Sequence, residues 1–184
     1  MKPIYISLTR KGDIDKAIKE LEKFKKSLID KDEIFVRRLA DIGVNAAMMT
    51  LASKGQGDSP RDAQFSVEFE ADGNTIKGVL SITSEPKVTK DGRVFYPHLA
   101  WEFGAGNAFN GMTSPNPHAK ELGMGIGTFP GQTHVPVPGW WYYRDKYGDP
   151  VRSYGTQATM PMYNASLEII QSIESVAREV YGNG

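Results

Sequence analysis

The chain has 184 residues, of which 40% are hydrophobic and 24% charged, and this predicts one globular domain with a core large enough to fold without disulfides. Basic and acidic residues both number 22, and the resulting net charge of zero argues against a protein whose main task is to coat nucleic acid. The chain has no cysteine, which excludes disulfides and thiolate metal sites. No apolar run approaches the roughly 20 residues of a membrane helix, and the N-terminus lacks the apolar core of a signal peptide, so we expect neither feature.

Two amphipathic helices are predicted near the N-terminus, after a short strand over residues 4–9. The first helix begins near Asp13, a capping residue, and ends near Asp30. Its apolar stripe consists of Ile14, Ala17, Ile18, Leu21 and Leu28. The second helix continues to Ser53 with apolar residues at helical spacing. A single long kinked helix is the alternative.

A β-hairpin is the clearest feature of the next segment. Apolar and polar residues alternate from Phe65 to Ala71 and again from Ile76 to Ile82. The sequence Asp72-Gly73-Asn74 between them is typical of a tight turn.

Residues 94–106 are predicted to form a third strand, which would join the hairpin in a meander. Apolar residues occupy one parity, and Tyr96, His98 and Glu102 occupy the other. The apolar set is Phe95, Leu99, Trp101 and Phe103. Packing alone gives no reason for Glu102.

Residues 105–153 are predicted to be a long loop insertion, because no period holds and glycine and proline are frequent. Its aromatic residues argue against simple disorder. They either pack onto the domain or form a contact surface, since tryptophan, tyrosine and arginine dominate interface hot spots. The candidate partner-contact residues are Phe109, Phe129, Trp140, Trp141, Tyr142, Tyr143 and Arg144.

The C-terminal part is predicted to contain a short strand over residues 151–155 and a final helix. The helix begins at Thr159 or Asn164, with Pro161 in its first turn. Its predicted buried stripe is Leu167, Ile170, Ile173, Ala177 and Val180. The complete prediction is an α+β fold of one domain, 1–184: an antiparallel sheet of about four strands, packed against two N-terminal helices and one C-terminal helix.

Catalytic and metal-binding signals are weak. His98 and Glu102 share a strand face in this prediction but lie too far apart to hold one metal ion, and metal-site spacing is absent. The glycine-rich run from Gly123 to Gly127 lacks the strand, helix and lysine of a phosphate loop. We therefore predict no cofactor and no enzyme activity. A metal-dependent hydrolase using His98, Glu102 and a loop histidine is one alternative, and a monomeric adaptor gripping a peptide or glycan with Trp140 and Tyr142 is another.

Two short stretches resemble signatures of a bacteriophage tail-component family, typified by the tenth gene product of a lambdoid long-tailed phage. Leu99-Ala100-Trp101-Glu102-Phe103-Gly104 resembles the family's Glu-Phe-Gly strand, and residues 154–165 resemble the run that leads into its C-terminal helix. Met160 and Met162 stand where the family more often has Arg or Gln and Phe. The matching positions are Trp101, Glu102, Phe103, Gly104, Gly155, Ala158, Pro161 and Ala165.

This resemblance implies a structural virion protein that acts in tail completion and head-to-tail joining. Members form rings, taken here as hexamers, at the neck between the head-closure or connector protein and the tail terminator or tail-tube protein. DNA passes only through the lumen, and no membrane is involved. The implied location is the virion neck, after assembly in the cytoplasm of the host bacterium.

Overall fold

A computed structural model of the chain describes residues 11–53, 62–73, 75–88, 94–104, 114–124, 141–144, 147–153 and 157–182. Within them the protein is α+β, with helices α1 (Lys11–Ser53), α2 (Pro97–Phe103) and α3 (Pro161–Tyr181). The strands are β1 (Gln64–Asp72), β2 (Thr75–Thr83), β3 (Lys87–Val88), β4 (Val94–Phe95), β5 (Trp141–Arg144) and β6 (Pro150–Ser153). The predicted strand over residues 4–9 lies outside the described residues.

The N-terminal region forms one helix of 43 residues rather than two. The stretch Asp30-Lys31-Asp32, where the sequence suggested a bend, contains no glycine or proline to break the hydrogen-bonded ladder. The prediction of two separate helices was therefore wrong, and the single-helix alternative gives the right extent.

The predicted hairpin is confirmed. β1 and β2 pair antiparallel from Gln64–Thr83 to Asp72–Thr75, with Gly73 in the left-handed region at φ 58°. The hairpin packs on α1. The guanidinium of Arg37 lies 4.3 Å from the centre of the Phe69 ring, and Gly78 lies so close to Val36 that a Cβ there would stand 2.9 Å from its methyl group.

The predicted third strand is wrong for residues 97–103, which form α2 instead. Pro97 occupies the first helical position, where its missing N–H costs nothing, and Gly104 ends the helix at φ 81°. Five of the seven residues of α2 are buried. Because the helix is buried on most sides, its apolar residues do not form a single stripe, and their spacing resembles the alternation of a strand. Trp101 and Phe103 are buried as predicted, although on a helix.

The described strands form three separate antiparallel pairs, β1–β2, β3–β4 and β5–β6, and not the predicted four-stranded sheet. The β5–β6 pair lies within the predicted loop insertion, and β6 covers much of the strand predicted at residues 151–155. Residues 114–124 of the same insertion form a chain of turns. The insertion is thus partly ordered into local structure.

The C-terminal helix is confirmed, and it begins at Pro161. It runs antiparallel to α1 and packs closely against it, since a Cβ on Gly43 would stand 2.6 Å from Ile169 and 3.0 Å from Leu80 of β2. The predicted buried stripe is largely wrong. The buried residues are Pro161, Ala165, Val176 and Val180, whereas Leu167, Ile170 and Ile173 are exposed.

Candidate functional site

A buried junction between α2 and α3 is the most specific polar arrangement in the described residues. The carboxylate of Glu102 accepts hydrogen bonds from the backbone N–H groups of Met162 (2.8 Å) and Tyr163 (3.0 Å). These are the second and third residues of α3, whose N–H groups have no partner within their own helix. A carboxylate at this position also interacts favourably with the helix dipole. Glu102 therefore caps α3 from another helix.

The junction continues through the carbonyl oxygen of Trp101. It accepts hydrogen bonds from the Thr159 N–H (2.8 Å), the Met160 N–H (3.0 Å) and the Thr159 hydroxyl (3.1 Å). Met160 is the residue just before α3, and its φ of 58° lies in the left-handed region that a methionine seldom adopts. The contacts on both sides of Met160 hold this strained backbone in place.

The segment 114–124 closes the third side of the junction. The side-chain amide of Asn116, itself buried, donates a 2.7 Å hydrogen bond to Glu102, and the Ser114 hydroxyl donates to the Phe103 carbonyl at 2.9 Å. Ala119 and Met124 pack with Phe103 in a buried apolar cluster. Glu102 thus receives three hydrogen bonds from two different parts of the chain.

A pocket of about 470 Å³ opens beside the junction. Its wall is mostly apolar, and the polar groups around it include two carboxylates but no lysine or arginine. It is lined by Ile82, His98, Leu99, Glu102, Phe103, Asn116, His118, Glu121, Leu122, Met162, Tyr163 and Ser166. Four separate segments therefore meet at this pocket: β2, α2, the turns of 114–124 and the first two turns of α3.

Burial sets the protonation properties of the two titratable groups deepest in the pocket. Burial raises the pKa of the Glu102 carboxyl, and the hydrogen bonds from Met162, Tyr163 and Asn116 oppose that rise. Burial lowers the pKa of His98, whose Nδ1 lies 2.8 Å from the Ser84 hydroxyl oxygen. The same hydroxyl oxygen accepts a hydrogen bond from the His98 backbone N–H at 3.2 Å, so it is free to give its own proton to Nδ1.

The hydrogen bonds of Glu102 fix the start of α3 to α2. Both oxygens of Glu102 already accept hydrogen bonds, so proton abstraction or metal binding by this group would first require the cap of α3 to be broken. At the exposed rim, the Nδ1 of His118 lies 3.1 Å from a carboxylate oxygen of Glu121. Among the described residues, no group of three or more histidine or carboxylate side chains is placed to hold a metal ion.

Seven of the eight positions that match the phage-family signatures lie at this junction, and the eighth falls outside the described residues. Trp101, Glu102, Phe103 and Gly104 lie at the C-terminal end of α2, and Ala158, Pro161 and Ala165 lie at the start of α3 or just before it. All seven are buried. Gly155 lies outside the described residues.

The predicted contact residues of the loop are only partly placed. The backbones of Trp141, Tyr142, Tyr143 and Arg144 form β5, paired with β6. Phe109, Phe129 and Trp140 lie outside the described residues.

Sequence reasoning missed Asn116, Thr159 and Ser84 as members of the site. Asn116 stands between two prolines, a pattern that indicates a turn, and its side-chain oxygen does accept the His118 N–H at 2.9 Å. No sequence signal reveals that the other end of the same amide reaches Glu102. The i,i+4 spacing of His98 and Glu102 was visible, but only helical geometry brings the two residues close together on that face, where both line the pocket.

Comparison with protein-family models, with curated proteins and with solved structures finds no match for this chain. In the part of the chain that the structure describes, no helix has both the length and the apolar character needed to cross a membrane.

Proposed function

We propose that the protein is a structural component of a tailed-bacteriophage virion or a phage-tail-like particle. It would act as a ring at the neck, where it completes the tail and joins it to the head. Its partners would be further copies of itself, a head-closure or connector protein, and a tail terminator or tail-tube protein. Its role is then assembly and not catalysis.

One observation carries this proposal: the two stretches that resemble the phage family meet at the same buried junction. They are separated by about 50 residues, yet the Trp101 carbonyl and the Glu102 carboxylate of one stretch accept hydrogen bonds from Thr159, Met162 and Tyr163 of the other. Two short sequence similarities at separate places in a chain are weak evidence of kinship. Two likenesses that form one structural unit are what a shared fold requires.

A second consideration is that the junction fixes both ends of the long insertion. Gly104 follows α2 directly, and Thr159 is bonded to Trp101, so the insertion leaves and returns at one place on the body. A ring subunit needs a rigid body with an extension that reaches its neighbours. The aromatic and arginine residues of the insertion have the composition of interface hot spots.

Particle association tests the proposal directly. The gene would be deleted from the phage or particle that encodes it, and full-length protein would be supplied from a plasmid. Without the protein, we expect electron micrographs to show separate heads and tails, and with it, joined particles that contain the protein. Joined particles in its absence would refute the neck role.

The insertion can be tested in the same assay. Trp140→Ala combined with Trp141→Ala should abolish rescue while the purified variant keeps its circular dichroism spectrum. Tyr147→Ala, which removes an exposed ring from the same insertion, is the matched control and should rescue. If the double variant rescues as well as the control, the insertion is not the contact element. A monomer that binds peptide or glycan through these tryptophans and never enters particles would instead be an adaptor.

A further inference from the structure

The first part of α1 extends beyond the end of its partner helix. The Tyr181 hydroxyl, at the end of α3, lies 2.5 Å from a carboxylate oxygen of Asp32, and the Tyr181 ring lies 5.8 Å from that of Phe35. The antiparallel α3 therefore ends beside residues 32–35 of α1. About 20 residues of α1 precede this point, which corresponds to roughly 30 Å of helix.

This overhang continues the apolar face that packs against α3. Leu21, Leu28 and Phe35 are seven residues apart, so they fall on nearly one line along the helix. Five large side chains of the overhang remain between 39% and 55% exposed. The smaller Ala17, on the same part of the helix, is buried. We call these five the α1 stripe: Ile14, Ile18, Leu21, Phe24 and Leu28.

A second apolar surface lies on α3. Leu167, Ile170 and Ile173 are between 39% and 63% exposed, and we call them the α3 stripe. Ile170 lies about 120° around the helix from buried Val176 and faces away from the body, whereas Ile173 lies about 60° from Val176, at the edge of the buried side. Three- and four-residue spacing of apolar residues is the pattern of a helix that packs against another helix.

Charges near the two stripes are complementary. Lys25 falls between Leu21 and Leu28 on the face of the α1 stripe, and Glu174 lies one turn beyond Ile170 on the α3 stripe. Both lie on exposed parts of their helices, and Glu174 also pairs with Arg178 one turn further along α3. A contact between the stripes would place opposite charges side by side.

The two stripes differ in extent. If about 200 Å² is taken for a fully exposed large side chain, the α1 stripe presents on the order of 450 Å² of apolar surface and the α3 stripe on the order of 290 Å². Both values lie below the roughly 800 Å² per partner of a stable interface, so side chains beside the stripes, such as the stems of lysines, would have to supply the rest of the contact.

We infer that the α1 stripe of one copy packs on the α3 stripe of the next copy. The contact joins two different surfaces, so each copy offers a free stripe at either side, and such a heterologous contact forms a ring when the rotation between neighbouring copies closes. Pairing of two α1 stripes would leave the α3 stripe uncovered and would end at a dimer. The inference rests on the ring of the proposed function and names the surfaces that form it.

Single cysteines test the contact cleanly, because the chain has none of its own. Full-length Leu21→Cys and Ile170→Cys proteins would be mixed and treated with a short bifunctional thiol cross-linker. We expect a covalent dimer containing one chain of each kind, identified by mass spectrometry. Ile34→Cys replaces Leu21→Cys in the control, because Ile34 is 47% exposed but lies on another side of α1.

Each outcome has a definite meaning. If Leu21→Cys cross-links mainly to itself, or if the Ile34→Cys mixture gives equal yield, the inference is overturned while the neck function stands. If light scattering finds the unmodified protein monomeric at all concentrations and particles lack it, the neck function fails as well. Proteins that form rings without the Leu21–Ile170 product assemble through another surface.

Charge reversal gives a second measurement that does not depend on cross-linking. Lys25→Glu and Glu174→Lys should each weaken assembly by about two- to fivefold in apparent dissociation constant, the scale of an exposed ion pair. The two changes together should restore part of it, since Glu174→Lys also removes the pair between Glu174 and Arg178. Additive weakening in the double variant would show that the two residues do not meet across the contact.

Discussion

The carboxylate of Glu102 and the backbone N–H of Met162 are joined by a hydrogen bond of 2.8 Å, although 60 residues separate them in the chain. A helix usually obtains its N-terminal acceptor from the residue just before it. Here that residue is Met160, which has no side-chain acceptor, and its neighbour Pro161 has no N–H to satisfy. The cap therefore comes from α2, and it ties the start of α3 to the centre of the fold.

Removal of this cap should destabilise the protein strongly. Glu102→Ala leaves two backbone N–H groups and the Asn116 amide without their acceptor in a buried place. We expect the free energy of unfolding to fall by about 2–4 kcal/mol, measured by urea titration with circular dichroism. Glu121→Ala removes an exposed carboxylate from the same pocket and should cost less than about 1 kcal/mol. Similar losses for both variants would contradict the capping role.

The pH dependence of stability should carry a signature of Glu102. Because burial raises its pKa above the ordinary value of 4.5, the folded protein holds this proton more tightly than the unfolded chain. The resulting stability is fully present below pH 4.5 and is lost as the pH rises through the folded pKa.

Glu102→Gln provides the reference for this pH measurement, since it cannot titrate. The free energy of unfolding of the natural protein minus that of the variant should fall as the pH rises above 4.5 and through the folded pKa of Glu102, and then level off. A difference that grows with pH in this window would mean that the three hydrogen bonds outweigh burial.

Gly43 should not tolerate a large side chain. A Cβ at this position would stand 2.6 Å from Ile169 and 3.0 Å from Leu80, so α1, α3 and β2 meet here at their closest. We expect Gly43→Leu to lower the free energy of unfolding by about 1–3 kcal/mol through overpacking. Gly12→Ala is the control, because nothing lies within 4 Å of its Cβ, and it should be neutral or stabilising by up to about 1 kcal/mol. Equal changes in the free energy of unfolding for the two variants would show that only the helix propensity of the new residue matters.

The link between the end of α3 and α1 should contribute measurably. The Tyr181 hydroxyl donates to Asp32 at 2.5 Å, and burial together with Asp32 raises the pKa of Tyr181 to about 12. Tyr181→Phe keeps the ring against Phe35 and should cost about 1–2 kcal/mol in thermal or urea unfolding. Lys23→Ala breaks an exposed pair on α1 and should have no measurable effect. If Tyr181→Phe leaves the stability unchanged, the packing of the ring, and not the hydrogen bond to Asp32, stabilises this end of α3.

Local signals were sufficient for the hairpin and for α3. Alternation around Asp72-Gly73-Asn74 defined β1 and β2, and helical spacing predicted α3 with a start at Thr159 or Asn164, on either side of the observed start at Pro161. They failed for α2, because a seven-residue element that is buried on nearly all sides shows no decisive period. They also failed for the outward face of α3, because amphipathic spacing shows that a face is apolar but not what covers it.

The candidate site was only half visible in the sequence. Glu102 was noticed as a residue that packing did not explain, but its role depends on Met162, Tyr163 and Asn116, which no local rule connects to it. Capping by a distant residue is a tertiary property. It becomes recognisable only when the start of α3 is found without an acceptor of its own.

The closure of the chain at Trp101 and Thr159 makes changes of length inexpensive in those parts of the intervening segment that lie outside residues 114–124 and the β5–β6 pair. Once the ends of a loop are fixed, each doubling of its length adds only about 0.6 kcal/mol of closure entropy. Related chains can therefore gain or lose residues in these parts while α2 and α3 stay folded. The same property makes them places to insert an affinity tag, with which the protein could be followed inside cells.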